Sequence, residues 1–442
     1  MLKRNLLLDT DSYKLSHIPL YPEGTTGLHS YIEARKPNET IIPFGSQMWI
    51  KKTLTTPTSR DDVGEYVKYS KLHGEPSYPE VFDYLIERYN GYLPIKIWAI
   101  PEGTPTPSQT PIIALECLDE KLNFLVSYIE TSLLRAIWYP TTIASNDHKV
   151  WMMLNDVYKK TSDNLDMIPF AYHDFSGRGV SSEESSQIGS AAHLVHFMGS
   201  DSISGVRAAN HYYNCDMSAF SVVATEHSIQ CAYGIDGQEQ YLTKVLDTFK
   251  GQSIVSIVID GYDVYREAEL LSKLIKERLD NGTLGIDKVV FRPDSGNPLE
   301  VIPKILEIQE KYFGSILNSK GYRVIPHVGI IQGDGVNIQS MKAILDKITS
   351  LNYAPETVIF GSGGMLAQAV NRDDYGFAQK VSAILIDGVW RDVYKAPITD
   401  AGKRSKAGKQ NTPNMELYYD GVNHPGKLLI DDSLTTIRNR AM

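Results

Sequence analysis

Apolar and polar positions follow a regular pattern over the second half of the chain. Between about residue 250 and residue 370, short β-branched runs end in polar or glycine-rich turns, and each turn precedes a segment of helical periodicity. The clearest runs are SIVSIVID, KVVF, HVGII and TVIF, followed by helical segments such as GYDVYREAELLSKLIKERL. Continuous apolar strands that alternate with amphipathic helices are typical of a parallel α/β sheet or barrel.

Two earlier segments extend this pattern toward the N-terminus. IPFAYHDF and SAFSVVATEHS each precede a helical segment, which brings the number of strand–helix units to six. Six units favour a closed arrangement over an open sheet. We therefore predict an α/β protein with an irregular β/α barrel domain at residues 161–373.

The chain on either side of this region has a less regular pattern of apolar and polar residues. Residues 1–160 mix short β-like runs such as YLPIKIWAI with helical runs such as NFLVSYIETSLLRAIWYP. Residues 374–442 return to short strands such as GKLLIDDS. We predict an N-terminal α+β portion and a C-terminal segment that packs with it, so that the two together form a second domain.

Composition and charge narrow the function classes. The 442 residues are 42% hydrophobic and carry a formal net charge of −9, which does not attract nucleic acid or an anionic membrane surface. Three scattered cysteines without a C-x-x-C pair argue against a disulfide framework or a zinc site. No apolar stretch approaches the ~20 residues of a membrane span. We expect a cytoplasmic protein with no nucleic-acid or membrane partner.

Charged residues and glycines follow the predicted strands at their carboxyl ends. In a β/α barrel these ends converge, and the loops after them build the ligand site. The set comprises Asp260, Asp263, Arg292, Asp294, Gly333, Asp334, Gly361, Gly363 and Gly364.

Each residue type in this set has two interpretations. A glycine between a strand and a helix lets backbone N–H groups approach a phosphate, or it serves only a tight turn. A carboxylate at a strand end binds sugar hydroxyls, holds Mg²⁺ through water or stabilises a developing cation, or it caps a helix. Two consecutive glycine-rich turns favour a phosphate site, and four capping aspartates would leave Arg292 without a role. The residues alone predict a barrel that binds a phosphorylated sugar or nucleotide.

Two further motifs carry polar chemistry. In SGRGVSS, Arg178 suits bidentate binding of a phosphate or is a surface arginine beside a turn, and Ser181–Ser182 are expected to cap the next helix. In TEHS, Glu226 stands beside His227 and could orient its imidazole, although a buried histidine satisfied by another neighbour is equally compatible with the sequence.

Other histidines and basic residues carry a weaker signal. His193 and His196 are three apart on a predicted helix, and without a nearby carboxylate we interpret them as packing residues rather than metal ligands. The basic loop KRSKAGK, which begins at Lys403, is most often a solvated turn but could also reach a phosphate.

Nine motifs in this order resemble one enzyme family. LLLDTDSYKLSH, HDFSGRGVSS, GSDS, SVVATEHS, SIVIDGYD, RPDSGNP, IQGDGV, FGSGG and KRSK have the order and spacing found in nicotinamide phosphoribosyltransferases. The resemblance implies a type II phosphoribosyltransferase fold and the conversion of nicotinamide and phosphoribosyl pyrophosphate to nicotinamide mononucleotide and pyrophosphate, a step of NAD salvage. It also implies a homodimer with shared active sites, a requirement for Mg²⁺, and ATP as an activating co-substrate.

The resemblance implies how the pyridine is recognised. Phe175 and a Tyr13 contributed by the second subunit would sandwich the ring, which suits a flat aromatic ligand. Asp201 would accept a hydrogen bond from the carboxamide N–H₂. A carboxylate at that position should repel nicotinate, so Asp201 would carry much of the specificity.

The remaining matches imply binding of the phosphates and the sugar. The residues implied to bind pyrophosphate are Arg178, His227 and Arg292. Those implied to surround the ribose and its 5′-phosphate are Asp294, Gly333, Asp334, Gly363 and Gly364. The cationic contacts implied from across the dimer are Arg372, Lys380, Lys395 and Lys403.

The resemblance also implies the catalytic groups. Asp260 and Asp294 would face the oxocarbenium-like centre as pyrophosphate leaves, with Mg²⁺ neutralising the leaving group. His227 would be the phosphorylated histidine through which ATP hydrolysis drives product formation, and Glu226 would orient it.

The chain departs from the family pattern at two places, and two other functions stay open. Gly329 stands where the vertebrate-type pattern has an arginine that lines the approach to the pocket, and the chain is shorter around residues 35–44. The runner-up is nicotinate phosphoribosyltransferase, which Asp201 disfavours. A non-catalytic nucleotide-binding protein is the third possibility, disfavoured because each position that the chemistry needs is filled.

Overall fold

The chain folds into two compact units, seen in a computed structural model that describes residues 3–399 and 404–442. The first unit comprises residues up to 145, 209–216 and 370–442, and the second comprises residues 146–208 and 217–369. The helix Glu130–Thr161 crosses from one unit into the other. The change in the pattern of apolar and polar residues near residue 160 therefore marks the end of this helix. The two units divide 15 residues earlier, at residue 145.

A parallel sheet of seven strands lies in the described part of the second unit. In chain order the strands are β1 (Tyr172–Asp174), β2 (Gly199–Ser200), β3 (Val223–Ala224), β4 (Ile254–Val258), β5 (Lys288–Arg292), β6 (Val328–Gln332) and β7 (Val358–Ser362). Strands β3 to β7 pair in sequence order, β7 pairs with β1, and β1 pairs with β2. The four strongest apolar runs of the sequence are β4 to β7.

One segment joins the two edges of this sheet. Phe220 forms a parallel bridge with Gly199 of β2, in which the Phe220 N–H donates to the Met198 carbonyl at 2.8 Å and the Ser200 N–H donates to the Phe220 carbonyl at 3.1 Å. Three residues later the same segment enters β3, which pairs with β4. The strands therefore close into an irregular barrel, and the predicted fold class is confirmed.

Helices follow the barrel strands, and side chains cap several of them. Their bounds are Glu183–His193, Ile203–Tyr212, His227–Ala232, Gln238–Thr248, Val264–Asp280, Pro298–Phe313, Ile338–Ser350 and Gly364–Ala367. Ser182, Asp263, Asn297 and Asn337 each accept a hydrogen bond from a backbone N–H in the first turn. These caps satisfy N–H groups that have no partner inside the helix. The prediction for Ser182 is confirmed, and Asp263 takes the capping alternative.

An antiparallel sheet of six strands lies in the described part of the first unit. Its order is Val389–Asp392, Phe377–Ile386, Thr25–Ala34, Pro111–Cys117, Ile95–Ala99 and Glu416–Asp420. The pairing of Thr25–Ala34 with Phe377–Ile386 joins the N-terminal portion to the C-terminal segment. The expectation that these two segments form one domain is confirmed.

Short strands and helices complete both units. The two-residue strands are Thr40–Ile41 with Thr106–Pro107 in the first unit, and Ile316–Leu317 with Arg323–Val324 in the second. The other helices are Tyr13–Ser16, Ser46–Thr53, Arg60–His73, Pro79–Tyr89, Leu125–Tyr128 and Leu434–Ala441. Buried side chains of the first-unit helices and sheet, such as Phe82, Leu115 and Tyr128, form its core.

Candidate active site

A cavity of about 560 Å³ opens at the carboxyl ends of the barrel strands. Its lining comes from the segments after β1, β2, β5, β6 and β7, as the strand-end rule predicts. The lining residues are Phe175, Gly177, Arg178, Gly179, Ser186, Asp201, Ser202, Ser204, Arg292, Asp294, Gly333, Asp334, Gly363 and Gly364. All of them belong to the second unit. Eight predicted substrate-binding residues and the predicted catalytic residue Asp294 are thus brought together.

Phe175 is held in the cavity by close packing against glycine. A Cβ atom added at Gly361 would lie 2.0 Å from Cε2 of Phe175, and one added at Gly333 would lie 3.5 Å from the same atom. The Phe175 N–H donates to the carbonyl of Ser362 at 2.9 Å. Gly361 therefore makes room for the aromatic ring, a role that neither the phosphate nor the turn interpretation included.

Arg292 and Asp294 form the charged part of the cavity wall. Nε of Arg292 lies 3.4 Å from Oδ2 of Asp294, and both side chains are largely buried. Burial raises the pKa of Asp294, and the nearby carboxylates Asp260 and Asp334 raise it further, while Arg292 and His227 act in the opposite direction. The site therefore holds a cation beside carboxylates that repel one another, an arrangement that favours a ligand with both anionic and electron-deficient parts.

His227 is oriented by a different carboxylate from the one predicted. Its Nε2 lies 2.9 Å from Oδ1 of Asp260, whose side chain is 3% exposed. Glu226 is the N-cap residue of the helix that begins at His227, and its carboxylate accepts a hydrogen bond from Ser228. The orienting role assigned to Glu226 is therefore corrected to Asp260, which reaches His227 from the end of β4.

Asp201 follows β2, and hydrogen bonds hold both its side chain and its backbone. Its carboxylate accepts a hydrogen bond from the Ser221 hydroxyl at 2.6 Å, and its backbone N–H donates to the carbonyl of Asp174 at 3.0 Å. Arg178 ends the 3₁₀ turn Ser176–Arg178 and is exposed to the cavity. An anionic and a cationic side chain thus lie on the β1–β2 side of the pocket.

The other predicted contacts belong to the first unit or lie outside the described residues. Tyr13, Arg372, Lys380 and Lys395 are first-unit residues, and Lys403 lies outside the described ranges. Tyr13 is 53% exposed. Burial lowers the pKa of Lys380, and the neighbouring cations Arg35, Lys14 and Arg372 act in the same direction against Glu130.

Part of the basic loop is neutralised within the first unit. Nζ of Lys406 lies 3.2 Å from Oε2 of Glu33, and Nζ of Lys409 lies 2.6 Å from Oε2 of Glu116. For these two lysines the structure therefore shows intramolecular partners.

Gly329 does not line the cavity. It is buried in β6, where an added Cβ would lie 2.9 Å from Cε of Lys288. The expectation that this position borders the pocket is corrected, because the missing side chain instead makes room for Lys288 of the adjacent strand.

Several cavity residues were missed by the sequence analysis. They are Gly177, Gly179, Ser186, Ser202 and Ser204. The only local signal was the density of serine and glycine in SGRGVSSEESSQ and GSDSIS, which could not separate lining residues from caps.

The described residues hold neither a metal-ligand cluster nor a helix that could span a membrane. Residues 3–399 and 404–442 contain no cluster of three or more His, Cys, Asp or Glu side chains suited to a metal ion. Over the same ranges, every helix is too short or too polar to cross a bilayer.

Comparison with protein families and curated proteins gave consistent matches. Residues 170–422 match the nicotinate phosphoribosyltransferase family, and residues 5–97 match the N-terminal domain of nicotinamide phosphoribosyltransferase. A nicotinamide phosphoribosyltransferase of Xanthomonas campestris is 41% identical over 92% of this chain and 86% of its own length. One from Mycoplasma pneumoniae is 30% identical over 93% of this chain and 97% of its own length.

Solved structures share the fold at low sequence identity. Nicotinate-nucleotide pyrophosphorylase from Pyrococcus furiosus aligns with a TM-score of 0.59 at 14% identity, covering 100% of this chain and 96% of that one. Human nicotinic acid phosphoribosyltransferase aligns with a TM-score of 0.58 at 13% identity, covering 98% of this chain and 92% of that one.

Proposed function

Because the chain belongs to the nicotinamide phosphoribosyltransferase family, we propose that it transfers the phosphoribosyl group of phosphoribosyl pyrophosphate to nicotinamide. The products are nicotinamide mononucleotide and pyrophosphate, and the step belongs to NAD salvage. One observation carries the proposal: an aromatic ring, a carboxylate and two arginines line the same cavity at the carboxyl ends of the barrel strands.

Phe175 and Asp201 bind the pyridine in this proposal. The ring of Phe175 offers a stacking surface, and the Asp201 carboxylate accepts a hydrogen bond from a carboxamide N–H₂. Nicotinate would bring a second carboxylate against Asp201, and two like charges at close range repel each other. The residue thus supports nicotinamide over the acid as substrate.

Arg178, Arg292 and the glycine-rich turns bind the other substrate. The two guanidinium groups suit the oxygens of a pyrophosphate, because each can donate two parallel hydrogen bonds. Gly333, Gly363 and Gly364 line the cavity without a side chain, so their backbone can approach the ribose and its 5′-phosphate.

Asp294 acts on the reacting carbon. As the bond to pyrophosphate lengthens, positive charge develops on the sugar, and a nearby carboxylate stabilises it more in the transition state than in the ground state. Asp260 adds negative charge on the same side and raises the pKa of Asp294.

Mg²⁺ is proposed as the counter-ion of pyrophosphate. This ion usually keeps several waters and binds through substrate phosphates and one or two carboxylates rather than through an all-protein cage. The cavity suits such an ion because the carboxylates of Asp294 and Asp334 line it, beside the arginines that would hold the phosphates. When bound, Mg²⁺ would neutralise charge on the leaving group.

His227 is proposed to accept the γ-phosphoryl group of ATP. Its Nε2 faces Asp260 at 2.9 Å, so Nδ1 is the nitrogen that would form the bond to phosphorus as ADP leaves. The side chain is 43% exposed, which leaves it accessible to a nucleotide. Asp260 would hold the imidazole in the orientation that this step needs.

The active unit is proposed to be a cytoplasmic homodimer with shared active sites. The second unit carries exposed apolar side chains, among them Ile203, Phe220 and Ile229. Such side chains suit a subunit interface, because in a monomer they would stay exposed to water. Exposed Tyr13 would supply the second stacking ring, and Arg372, Lys380, Lys395 and Lys403 the cationic contacts. All three cysteines are free thiols, as expected in a reducing compartment.

The decisive experiment compares two pyridines in wild type and Asp201→Asn. Pyrophosphate release and mononucleotide formation are measured with phosphoribosyl pyrophosphate and Mg²⁺, and either nicotinamide or nicotinate. We expect kcat/KM for nicotinamide to exceed that for nicotinate by at least 100-fold in wild type, and the ratio to fall at least 10-fold in the variant, because a neutral amide no longer repels the acid.

The other outcomes identify the competing functions. Equal or reversed preference in wild type would indicate a nicotinate phosphoribosyltransferase. Saturable binding of phosphoribosyl pyrophosphate without release of pyrophosphate from either pyridine would indicate a non-catalytic binding protein.

A further inference from the structure

A buried carboxylate beneath the cavity joins the two segments proposed to bind the pyridine. Asp174, the last residue of β1, is fully buried. Its Oδ1 accepts hydrogen bonds from the backbone N–H of Ser176 at 2.8 Å and from the Ser176 hydroxyl at 2.6 Å. Its Oδ2 accepts from the Ser200 hydroxyl at 2.9 Å. One oxygen therefore fixes the segment that carries Phe175, and the other fixes the segment that carries Asp201.

Ser200 continues this connection on the β2 side. Its Oγ donates to Asp174 and also accepts from the backbone N–H of Ser202 at 3.0 Å. Asp201 lies between these two serines, and its own N–H donates to the Asp174 carbonyl. The position of the Asp201 backbone thus depends on both the main chain and the side chain of Asp174.

A second buried pair lies behind Asp174. His193 is fully buried, its Nδ1 lies 2.8 Å from Oδ2 of Asp147, and its ring stacks on Phe197 at a centroid distance of 5.3 Å. Burial acts to lower the pKa of His193, but Asp147 and Asp174 raise it above its ordinary value. Burial acts to raise the pKa of Asp174, but His193 and the hydrogen bonds from Ser176 hold it below its ordinary value.

This pair explains how a fully buried carboxylate stays ionised. An isolated buried carboxylate would take up a proton, and a protonated Asp174 would lose acceptor capacity at one oxygen. The carboxylate that the sequence analysis missed near His193 is Asp147, which comes from the helix Glu130–Thr161. His193 is therefore more than a packing residue, because it binds Asp147 and lowers the pKa of Asp174.

We propose that Asp174, with Ser200 as its link and His193 as its counter-charge, is a positioning residue that sets the spacing between Phe175 and Asp201 and thereby the selectivity for the pyridine. The proposal rests on the proposed roles of Phe175 and Asp201. None of the three residues lines the cavity, so none is expected to touch a substrate. They act through the backbone of the residues that do.

The sharpest test removes the side-chain hydrogen bond between Ser200 and Asp174. Ser200→Ala deletes the link, and Ser200→Thr retains a hydroxyl. Ser176→Ala is the matched control, because it deletes a serine hydrogen bond to the same carboxylate but within a single segment, where the Ser176 N–H still binds Oδ1. KM for pyridine, KM for phosphoribosyl pyrophosphate, kcat and Tm are measured for each variant.

We expect Ser200→Ala to raise KM for nicotinamide about 10-fold and to reduce the preference over nicotinate, with KM for phosphoribosyl pyrophosphate changed less than 2-fold. Ser200→Thr should restore both values, and Ser176→Ala should change KM for nicotinamide less than 3-fold. Equal changes in both KM values, or no change in either, would overturn the proposal. His193→Gln, which removes the positive charge, should give the same pattern as Ser200→Ala, with a larger loss of Tm.

Hydrogen exchange separates this proposal from the proposed function. Wild type and Ser200→Ala are compared by the exchange rates of backbone amides in residues 174–176 and 200–202, without any substrate. Faster exchange in both segments supports the link even if the enzyme uses a different pyridine, and unchanged exchange contradicts it even if nicotinamide is the substrate. Failure of the proposed function alone would appear as absent nicotinamide turnover in wild type.

Discussion

At the scale of single residues, this site depends on side chains that are absent as well as on those present. Gly361 lies beside the ring of Phe175 at a distance that leaves no space for a methyl group. A glycine at the end of a strand therefore has a third explanation besides phosphate binding and positive φ. It can make room for an aromatic side chain contributed by a neighbouring strand.

Gly361→Ala should weaken pyridine binding. The new Cβ would lie 2.0 Å from Cε2 of Phe175, so the ring must leave its position. Stacking of an aromatic side chain on a flat ligand contributes about 1–3 kcal/mol in comparable sites, so we expect KM for nicotinamide to rise at least 10-fold. Steady-state kinetics with both substrates would measure the change.

Gly64→Ala provides the control for this prediction. Gly64 lies in the helix Arg60–His73 of the first unit, and an added Cβ there meets no atom within 4 Å. Both KM values should be unchanged, and Tm should rise slightly because alanine favours a helix. An unchanged KM for nicotinamide in Gly361→Ala would show that Phe175 does not bind the ring.

Single residues also show which features of the site could be predicted from the sequence and which could not. Strand-end residues such as Arg292, Asp294 and Gly333 could be placed together because apolar periodicity located their strands. The partners of His227 and His193 could not, since Asp260 and Asp147 are 33 and 46 residues away along the chain. Periodicity specifies local structure, whereas these contacts depend on which strands and helices become neighbours.

At the scale of elements, two aspartates after the same strand have separate tasks. Asp260 and Asp263 both follow β4, within four residues of each other. Asp260 contacts His227, whereas Asp263 accepts hydrogen bonds from the N–H groups of Tyr265 and Arg266 and begins the helix Val264–Asp280. The sequence offered both interpretations for each residue, and only the geometry separates them.

Asp263→Ala should therefore reduce stability without reducing catalysis. Loss of an N-cap aspartate costs about 1 kcal/mol, and occasionally 2, because a backbone N–H loses its partner. We expect a lower midpoint in urea unfolding, with kcat and both KM values within 2-fold of wild type. Asp260→Asn is the comparison, and there the ATP-dependent increase in product yield should be lost while the unfolding midpoint changes less.

At the scale of the whole molecule, buried ionisable groups make stability depend on pH. Glu267 is 1% exposed, and its Oε2 has no hydrogen-bond partner among the residues that the structure describes. Burial raises the pKa of this carboxyl to about 7, and Asp263 acts in the same direction against Arg266. The folded protein therefore holds a proton here that the unfolded chain releases near pH 4.5.

Glu267→Gln should remove part of this dependence. Because the folded state binds the proton more tightly, the contribution of Glu267 to stability falls as pH rises from about 4.5 and has been lost once pH passes 7. The variant should be more stable than wild type by about 3 kcal/mol at pH 8, with the advantage shrinking toward pH 5. Urea unfolding at several pH values measures it, and a constant difference would contradict the assigned cause.

The pairing of Thr25–Ala34 with Phe377–Ile386 has a consequence for synthesis on the ribosome. In this sheet the strand Thr25–Ala34 can pair early with Pro111–Cys117 on one side, but its other edge, where Tyr31 lies opposite Lys380, must wait until most of the chain has been translated. At about 5–20 residues per second, that interval is on the order of tens of seconds. The barrel strands, all between residues 172 and 362, emerge during the wait. During this interval the nascent N-terminal sheet therefore presents one unpaired strand edge, the kind of surface that chaperones protect from aggregation.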